Sequence, residues 1–571
     1  MKMQITRRTM LAGLAASPAL AATGTHEPVT IFEGRRIVTM EPSLPTARFM
    51  AVAGGRVLGL ADSSEALAPW IRGRSHRIER RFADKVLFPG LIDPHIHPMQ
   101  SAVMLPLPFL APDEWHLPSG YWPAIAGQDA YRARLKRLVT EDRADPLVTW
   151  GHHELFHGPI DKAVLDQIAP DRALFVWQRS FHEIIANSAA LASIGLGEKT
   201  AFEAAMAAGK VEPGHGDFDK GIFAETALLV AIARLRPVLL SPERLARGFA
   251  GLHQLMAARG VTTTSDMATG IFAQFDVEAG LIARSFSRPE SATRVMLMPI
   301  AAELDRVEDL DGWMAQAGQF ASNTVRLDRR VKLLADGAFF AQNMRMGPPG
   351  YSDGHIGKWI TPPADLKRQV DRYWNAGFSL HIHVNGDEGA DEVLTALEAL
   401  PSRKAQTVTL EHLGYCTEAQ ARRIARMGLM VSAQPNYIRV LGEAYGREGL
   451  GSDRAAQMNR LGSLERKGVT LGLHSDFNMA PIDPFYLAWI ALTREGLDGT
   501  VRAPEERLTR DKALRAITIE AAQVIGMDDE IGSLAAGKKA DFIALAADPR
   551  EIETSAIKDL AISATVFEGR V

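Results

Sequence analysis

The chain is nearly without cysteine, has no apolar run long enough to span a bilayer, and carries no marked excess of either charge. One cysteine in 571 residues, Cys416, rules out an internal disulfide framework. It reads as a small buried hydrophobe rather than a ligand. No stretch runs apolar for the 18 or so residues that a membrane-spanning helix needs. The 64 basic and 68 acidic residues leave a net charge of −4, which carries no nucleic-acid footprint. What the chain does have is length: 571 residues at 46% hydrophobic content exceed one ordinary domain and can bury a large core.

The N-terminus reads as an export signal spanning residues 1–22. Lys2, Arg7 and Arg8 precede a short apolar stretch, Met10 to Ala16, and Pro18-Ala19-Leu20-Ala21-Ala22 supplies small residues for cleavage. Thr6-Arg7-Arg8-Thr9-Met10-Leu11 looks like a twin-arginine signal. The expectation is recognition by the twin-arginine export machinery, a periplasmic location, and no stable membrane span in the mature chain.

Short β-rich runs fill residues 28–85: Val29–Phe32, Arg36–Met40, Phe49–Val52 and Arg56–Leu60, with turns such as Gly54-Gly55 between them. Similar runs return in 528–571, at Ala540–Leu545 and Ala564–Glu568. Neither end makes a comfortable domain alone. The stretch 86–527 between them carries the chemistry.

There, Val86-Leu87-Phe88 leads through Pro89-Gly90 to Leu-Ile-Asp-Pro-His95-Ile-His97. Strand side chains alternate faces, so histidines two apart point the same way and can close on one ion. Imidazole suits zinc and similar metals. Four further residues sit at the ends of short apolar runs: Lys332, His383, His412 and Asp476. A (β/α)₈ barrel of ~250 residues divides into units of roughly 31. His383 to His412 is 29 positions, His412 to Asp476 is 64, and Lys332 to His383 is 51. That spacing predicts strands one, four, five, six and eight of an α/β TIM barrel, with the ligands at their C-terminal ends, where barrel active sites gather. The 237 positions from His95 to Lys332 exceed three units by about 140 residues, so insertions are expected within 98–260. Such an excess would roof the pocket. Its tryptophans, Trp115, Trp122, Trp150 and Trp177, read first as the insertion's own core.

These segments together resemble the amidohydrolase superfamily, in the amidohydrolase-3 branch that contains N-substituted formamide deformylases. The resemblance runs through PGLIDPHIH at 89–97, RSFHEIIANSAAL at 179–191, GVTTTSDM at 260–267 and VKLLADG at 331–337. It continues through HVNGD at 383–387, EHLGY at 411–415, HSDFNMAPIDPF at 474–485 and IGSLAAGKKADFIAL at 531–545. It implies a small β-sandwich made from both chain ends and a barrel holding divalent metal, expected here as two zinc ions on His95, His97, Lys332, His383, His412 and Asp476. Related enzymes often carboxylate the strand-four lysine so that the carbamate bridges two cations; the alternative is a structural Lys332 paired with Asp336 or Asp476 in a one-metal enzyme.

Asp476 is the expected catalytic residue, able to bind a metal, take the proton of an activated water and return it to a leaving nitrogen. His182 and Asp336 are candidate substrate contacts. The chain departs from the family pattern in three places near these residues. Ser180-Phe181 replaces the usual Asp-Gly, His474 replaces a Gly, and Ala338 replaces a frequent serine after Asp336-Gly337; His381 could also compete with His383 as the strand-five ligand. The reading is a metal-dependent hydrolase of a small-molecule, non-peptide C–N bond such as a formamide, cyclic amide or carbamate. The alternatives are an esterase, lactonase or phosphotriesterase, or a degenerate periplasmic binding protein.

Overall fold

Five strands open the chain in the computed structural model, which describes residues 27–401 and 405–571. They are β1 (Val29–Val38), β2 (Thr46–Ala53), β3 (Arg56–Ala61), β4 (His76–Glu79) and β5 (Val86–Pro89). The export signal expected at 1–22 lies outside the described residues. The first two β-runs of the sequence form one strand, not two. β1 continues through a register break between Glu33 and Ile37, and Gly34 sits in that break because a Cβ there would fall 3.1 Å from Leu87.

A second departure follows at once. Val86-Leu87-Phe88 does not run straight into the histidine strand. β5 ends at Pro89, and Gly90 packs so tightly that a Cβ would lie 2.3 Å from Thr262 Oγ1. Only then does β6 (Leu91–Ile96) begin, in a different sheet. The strand that carries His95 therefore starts at Leu91, while Val86–Pro89 belongs to the terminal sheet.

The stretch before Val261 carries strands of its own, but its tryptophans do not form a separate core: Trp115, Trp150 and Trp177 pack into one cluster with Ile96, Val261, Leu297 and Phe477. A hairpin of β7 (Trp115–Leu117) and β8 (Gly120–Trp122) precedes β9 (Leu147–His152), β10 (Leu174–Gln178), β11 (Glu183–Ala186), β12 (Gly216–Asp217) and β13 (Ile222–Ala224). The last five pair in the order β12-β13-β11-β10-β9. Trp115, Trp150 and Trp177 are buried, the first two edge-on at 5.5 Å. Burial of such rings is what holds an inserted sheet of short strands; truncating one costs about 3–5 kcal/mol.

β14 (Val261–Thr269), β15 (Arg294–Pro299) and β16 (Val325–Leu327) join β6 in a parallel sheet ordered β16-β15-β14-β6. β17 (Arg330–Leu334), β18 (Ser379–Val384), β19 (Val408–His412), β20 (Met430–Ala433) and β21 (Leu471–Leu473) make a second parallel sheet in sequence order. Isolated parallel bridges join the two sheets at both sides, Ile300 to Lys332 and Ile96 to Phe477. Helices Pro363–Asn375, Asp387–Glu398 and Glu418–Arg426 cover the second sheet, packing Val370, Leu394 and Ile424 into one core with Leu380, Ile382 and Leu410. Strands buried on both faces read as the near-continuous apolar runs that the sequence shows. The helix Ile519–Val524 closes one end: Thr409 Oγ1 donates to the Val524 carbonyl at 3.1 Å, and a Cβ on Gly472 would lie 2.9 Å from the Val524 side chain.

β22 (Phe542–Leu545) and β23 (Ile562–Val566) return to the start, giving a seven-stranded sheet β23-β22-β5-β1-β2-β3 with β4 against β1. Among the described residues no helix is long and apolar enough to cross a membrane.

Candidate metal centre

Asp93, His95 and His97 recur at every second position, and all three turn toward the end of β21 and the loop that follows it. Asp93 Oδ1 accepts the Ser475 N–H at 3.1 Å. His95 Nε2 lies 3.5 Å and His97 Nε2 3.1 Å from the same oxygen, Asp476 Oδ1. His412 Nδ1 lies 3.9 Å from the other Asp476 oxygen and 3.1 Å from His474 Nε2. Two overlapping sets of ligand atoms result, His95 with His97 and Asp476, and His95 with His412 and His474, each within 4.8 Å of one another. His383 falls outside both sets; its ring centroid is 4.6 Å from that of His412, and its Nε2 is 3.2 Å from Asn385 Nδ2. Lys332 Nζ is buried and has no hydrogen-bond partner among the described residues, and neither has His97 Nδ1.

Burial holds the imidazoles of His95, His383, His412 and His474 neutral. It pushes His95, His412 and His474 well below their ordinary value, and His383 down to about 3 with Lys332 adding to the effect. A neutral imidazole is the form that binds a cation. Burial also lowers Lys332 to about 8, against the opposing pull of Glu411 and Asp476. Asp476 is raised by burial, opposed by His97.

Asp476 itself lies beyond the strand end in the left-handed region, at φ 52°. For a non-glycine residue that conformation costs about 1–2 kcal/mol. Its N–H donates to the His95 carbonyl at 3.0 Å, and its carbonyl accepts from Met479 N–H at 2.6 Å. These bonds hold the strained turn and aim the carboxylate at His97. The following helix, Pro484–Thr493, is capped by Asp483, whose side chain accepts from Tyr486 N–H at 3.1 Å, so Asp476 is no helix cap.

One buried residue escaped the sequence reading. Glu411 accepts from His95 Nδ1 and from His381 Nδ1, both at 2.7 Å, and thereby turns Nε2 of His95 toward Asp476. Strict alternation would face Glu411 away from its neighbour His412. The strand ends instead with His412 at φ 71° and Leu413 at φ 45°, which swings His412 to the same side. His381 lies beneath, its Nε2 3.2 Å from Arg330 Nη1.

The two expected substrate contacts part company. Asp336 is buried, and its carboxylate accepts the N–H groups of Arg345, Asn385 and Gly386, each at 2.8 Å, so it braces the loops around His383. His182 is part-exposed, with Nδ1 2.9 Å from Glu225 Oε2, and lines a cavity of about 620 Å³. It lies near enough to His383 to act on it electrostatically. Where a glycine is usual, Phe181 takes φ 63° and lies between the rings of Trp150 and Trp177, while Ser180 Oγ accepts the His182 N–H at 3.2 Å.

The sequence profile of the Amidohydrolase family matches residues 83–571, the whole of the central unit and the C-terminal strands. The chain belongs to the amidohydrolase family. It is 26% identical to the N-substituted formamide deformylase of Arthrobacter pascens, over 93% of this chain and 96% of that one. It is 24% identical to the protein LONG AFTER FAR-RED 3 of Arabidopsis thaliana, over 89% and 85%. The crystal structure of an uncharacterized metal-dependent hydrolase from Pyrococcus horikoshii OT3 shares its fold, with a TM-score of 0.69 at 21% identity over 92% of this chain and 99% of that one.

In this amidohydrolase Glu411→Ala is expected to leave two buried imidazole N–H groups unpaired. Stability should fall by about 3 kcal/mol and metal affinity by about 10–100-fold, read by thermal denaturation and by metal titration. Glu411→Gln, which keeps acceptor capacity on one atom, should lose less on both measures. An unchanged affinity in both variants would remove Glu411 from any role in orienting His95.

Proposed function

We propose that the chain is a metal-dependent hydrolase of a non-peptide C–N bond in a small molecule. The observation that carries this reading is the convergence of His95, His97 and Asp476 on one point beside the buried, partnerless Lys332. The bridges at Ile300–Lys332 and Ile96–Phe477 support closure of β6, β14, β15 and β17 to β21 into an eight-stranded barrel. The ligands then stand at the ends of strands one, four, five, six and eight. The strands from both chain ends would form the small sandwich packed beside it.

The donor set fits divalent metal. Neutral imidazoles and a carboxylate meet around an orphaned lysine nitrogen, and that nitrogen gains a partner if it is carboxylated: it adds carbon dioxide, loses a proton, and presents two oxygens. His95, His97, His383, His412, Asp476 and carboxylated Lys332 would hold two ions, with His474 beside His412. Bound there, zinc or a similar ion supplies Lewis acidity toward a carbonyl oxygen and acidifies water near neutral pH.

The protein's own residues do the rest. Asp476 takes the proton from the attacking water and returns it to the leaving nitrogen, so that a carboxylic acid and an amine depart. Glu411 keeps the His95 tautomer in place. His182, at the mouth of the site, contacts the substrate. A panel of formamides, cyclic amides and carbamates, run beside lactones and phosphotriesters on the metal-loaded protein, tests the reading. Turnover of an amide with brisk inhibition by chelator is expected. Lactone or phosphotriester cleavage alone would move the assignment to another ester-type hydrolase, and metal binding without any turnover to a binding protein.

Export through the twin-arginine route to the periplasm is part of the same proposal, supported by Arg7-Arg8 and the apolar stretch after them. Replacing both arginines by lysine should leave the precursor in the cytoplasm; normal periplasmic accumulation would reject that route.

A further inference from the structure

The cavity beside His182 has a charge of its own. Its walls carry four glutamates, Glu154, Glu183, Glu225 and Glu448, against one cation, Lys358. Glu225 is committed to His182, and Lys358 lies near enough to act on Glu225. That leaves Glu183 without a charged partner, held only by Gln178 Nε2 at 2.6 Å. His153 also lines the cavity. Its residue is 7% exposed, and neither buried ring nitrogen makes a hydrogen bond of ordinary geometry.

Acidic walls alone are commonly solvated, but His153 is a buried imidazole with no well-formed hydrogen bond, only a weak pull from the Phe340 backbone, and such a group calls for a ligand because leaving it under-paired costs about 1–3 kcal/mol. We infer that this cavity binds a cationic amine carried on the N-substituent of the substrate, an inference that rests on the hydrolase reading above. An ammonium donates three N–H bonds and accepts none. Glu183 offers the charge, and neutral His153 offers an acceptor nitrogen. Burial pushes the Glu183 carboxyl up to about 7, with Glu154 and Glu225 adding to it, and burial holds His153 down at about 3. A cation placed between these carboxylates would relieve their mutual repulsion. At about 620 Å³ the cavity has room for a short aminoalkyl or aminomethyl-aryl group. The acyl carbon would lie toward His383 and the amine at the far end, among the inserted strands.

The test has two arms on the metal-loaded protein. Calorimetry with butylammonium and with 1-butanol reads the cavity without chemistry. Butylammonium should bind at least about tenfold more tightly, and Glu183→Gln should erase the difference. Glu154→Gln, at the exposed rim, should weaken it less. Equal binding of the two probes, or a preference that survives in Glu183→Gln because the amine sits on metal instead, overturns the inference. Kinetics with N-(4-aminobutyl)formamide, N-butylformamide and 4-formamidobutanoate reads the same preference in kcat/KM, cation first and anion last. Turnover of all three at equal kcat/KM would reject the cation site and keep the hydrolase. Selective ammonium binding with no turnover would keep the site and reject the hydrolase.

Discussion

Asp476→Asn is expected to retain much of its metal and to lose amide turnover by about a thousandfold or more. The carboxamide can still lend an oxygen to a cation, but it cannot accept the proton of water. The loss should differ with the leaving group. An activated ester departs without protonation, so the same variant should damage a matched ester less than an amide. In the wild-type protein kcat/KM for the amide should rise with pH while the base and the activated water ionise, since both are needed in their deprotonated forms. Equal losses for ester and amide would show that Asp476 acts only as a ligand. The substitution leaves the His95 carbonyl and its bond from residue 476 intact, so folding should survive.

The second large effect belongs to Lys332. With bicarbonate present, metal content should approach two ions per chain, and native mass measurement should show one added carboxyl group. Lys332→Met should lose that mass, hold at most one ion, and lose activity by orders of magnitude. Chelation of the wild type should abolish turnover, and zinc should restore it. A stable single ion with an unmodified lysine would reject the bridged pair. The metal-free protein offers a check that is independent of activity. Burial lowers Lys332 to about 8, from an ordinary 10.5, so the folded chain disfavours the ammonium. The unfolded chain binds the extra proton between those values, and stability should therefore rise as pH climbs from about 8 to 10.5. The gain is about 3 kcal/mol at most, it should be absent in Lys332→Met, and denaturant titration along that pH range would read it.

The candidate ligand histidines show what local pattern can carry. His95 and His97 share a face because a strand has period two, and that holds whatever the strand pairs with. Lys332, His383, His412 and Asp476 lie in or at the end of apolar runs, with His383 to His412 close to one βα unit and His412 to Asp476 close to two, and a buried parallel strand must be apolar throughout. Surplus length before Val261 was countable against a repeating architecture, and that stretch holds the sheet β12-β13-β11-β10-β9.

Other features depended on contacts between distant parts of the chain. Val86–Pro89 looks like the start of the histidine strand, yet pairing with Phe542–Leu545, more than 450 positions away, draws it into the terminal sheet. Glu411 escaped notice because strict alternation faces it away from His412, and only the left-handed turn at His412 breaks that alternation. Asp336 resembled a site residue, but three N–H groups from two separate loops already occupy it. Phe181 holds a backbone conformation that favours glycine, and it does so where two tryptophans of the inserted sheet enclose its ring. Periodicity and spacing are properties of neighbours along the chain, so the sequence alone pointed to which runs form strands and which residues are candidate ligands. Which buried donors meet which acceptors is settled only when remote segments pack together, and that was left to the tertiary structure.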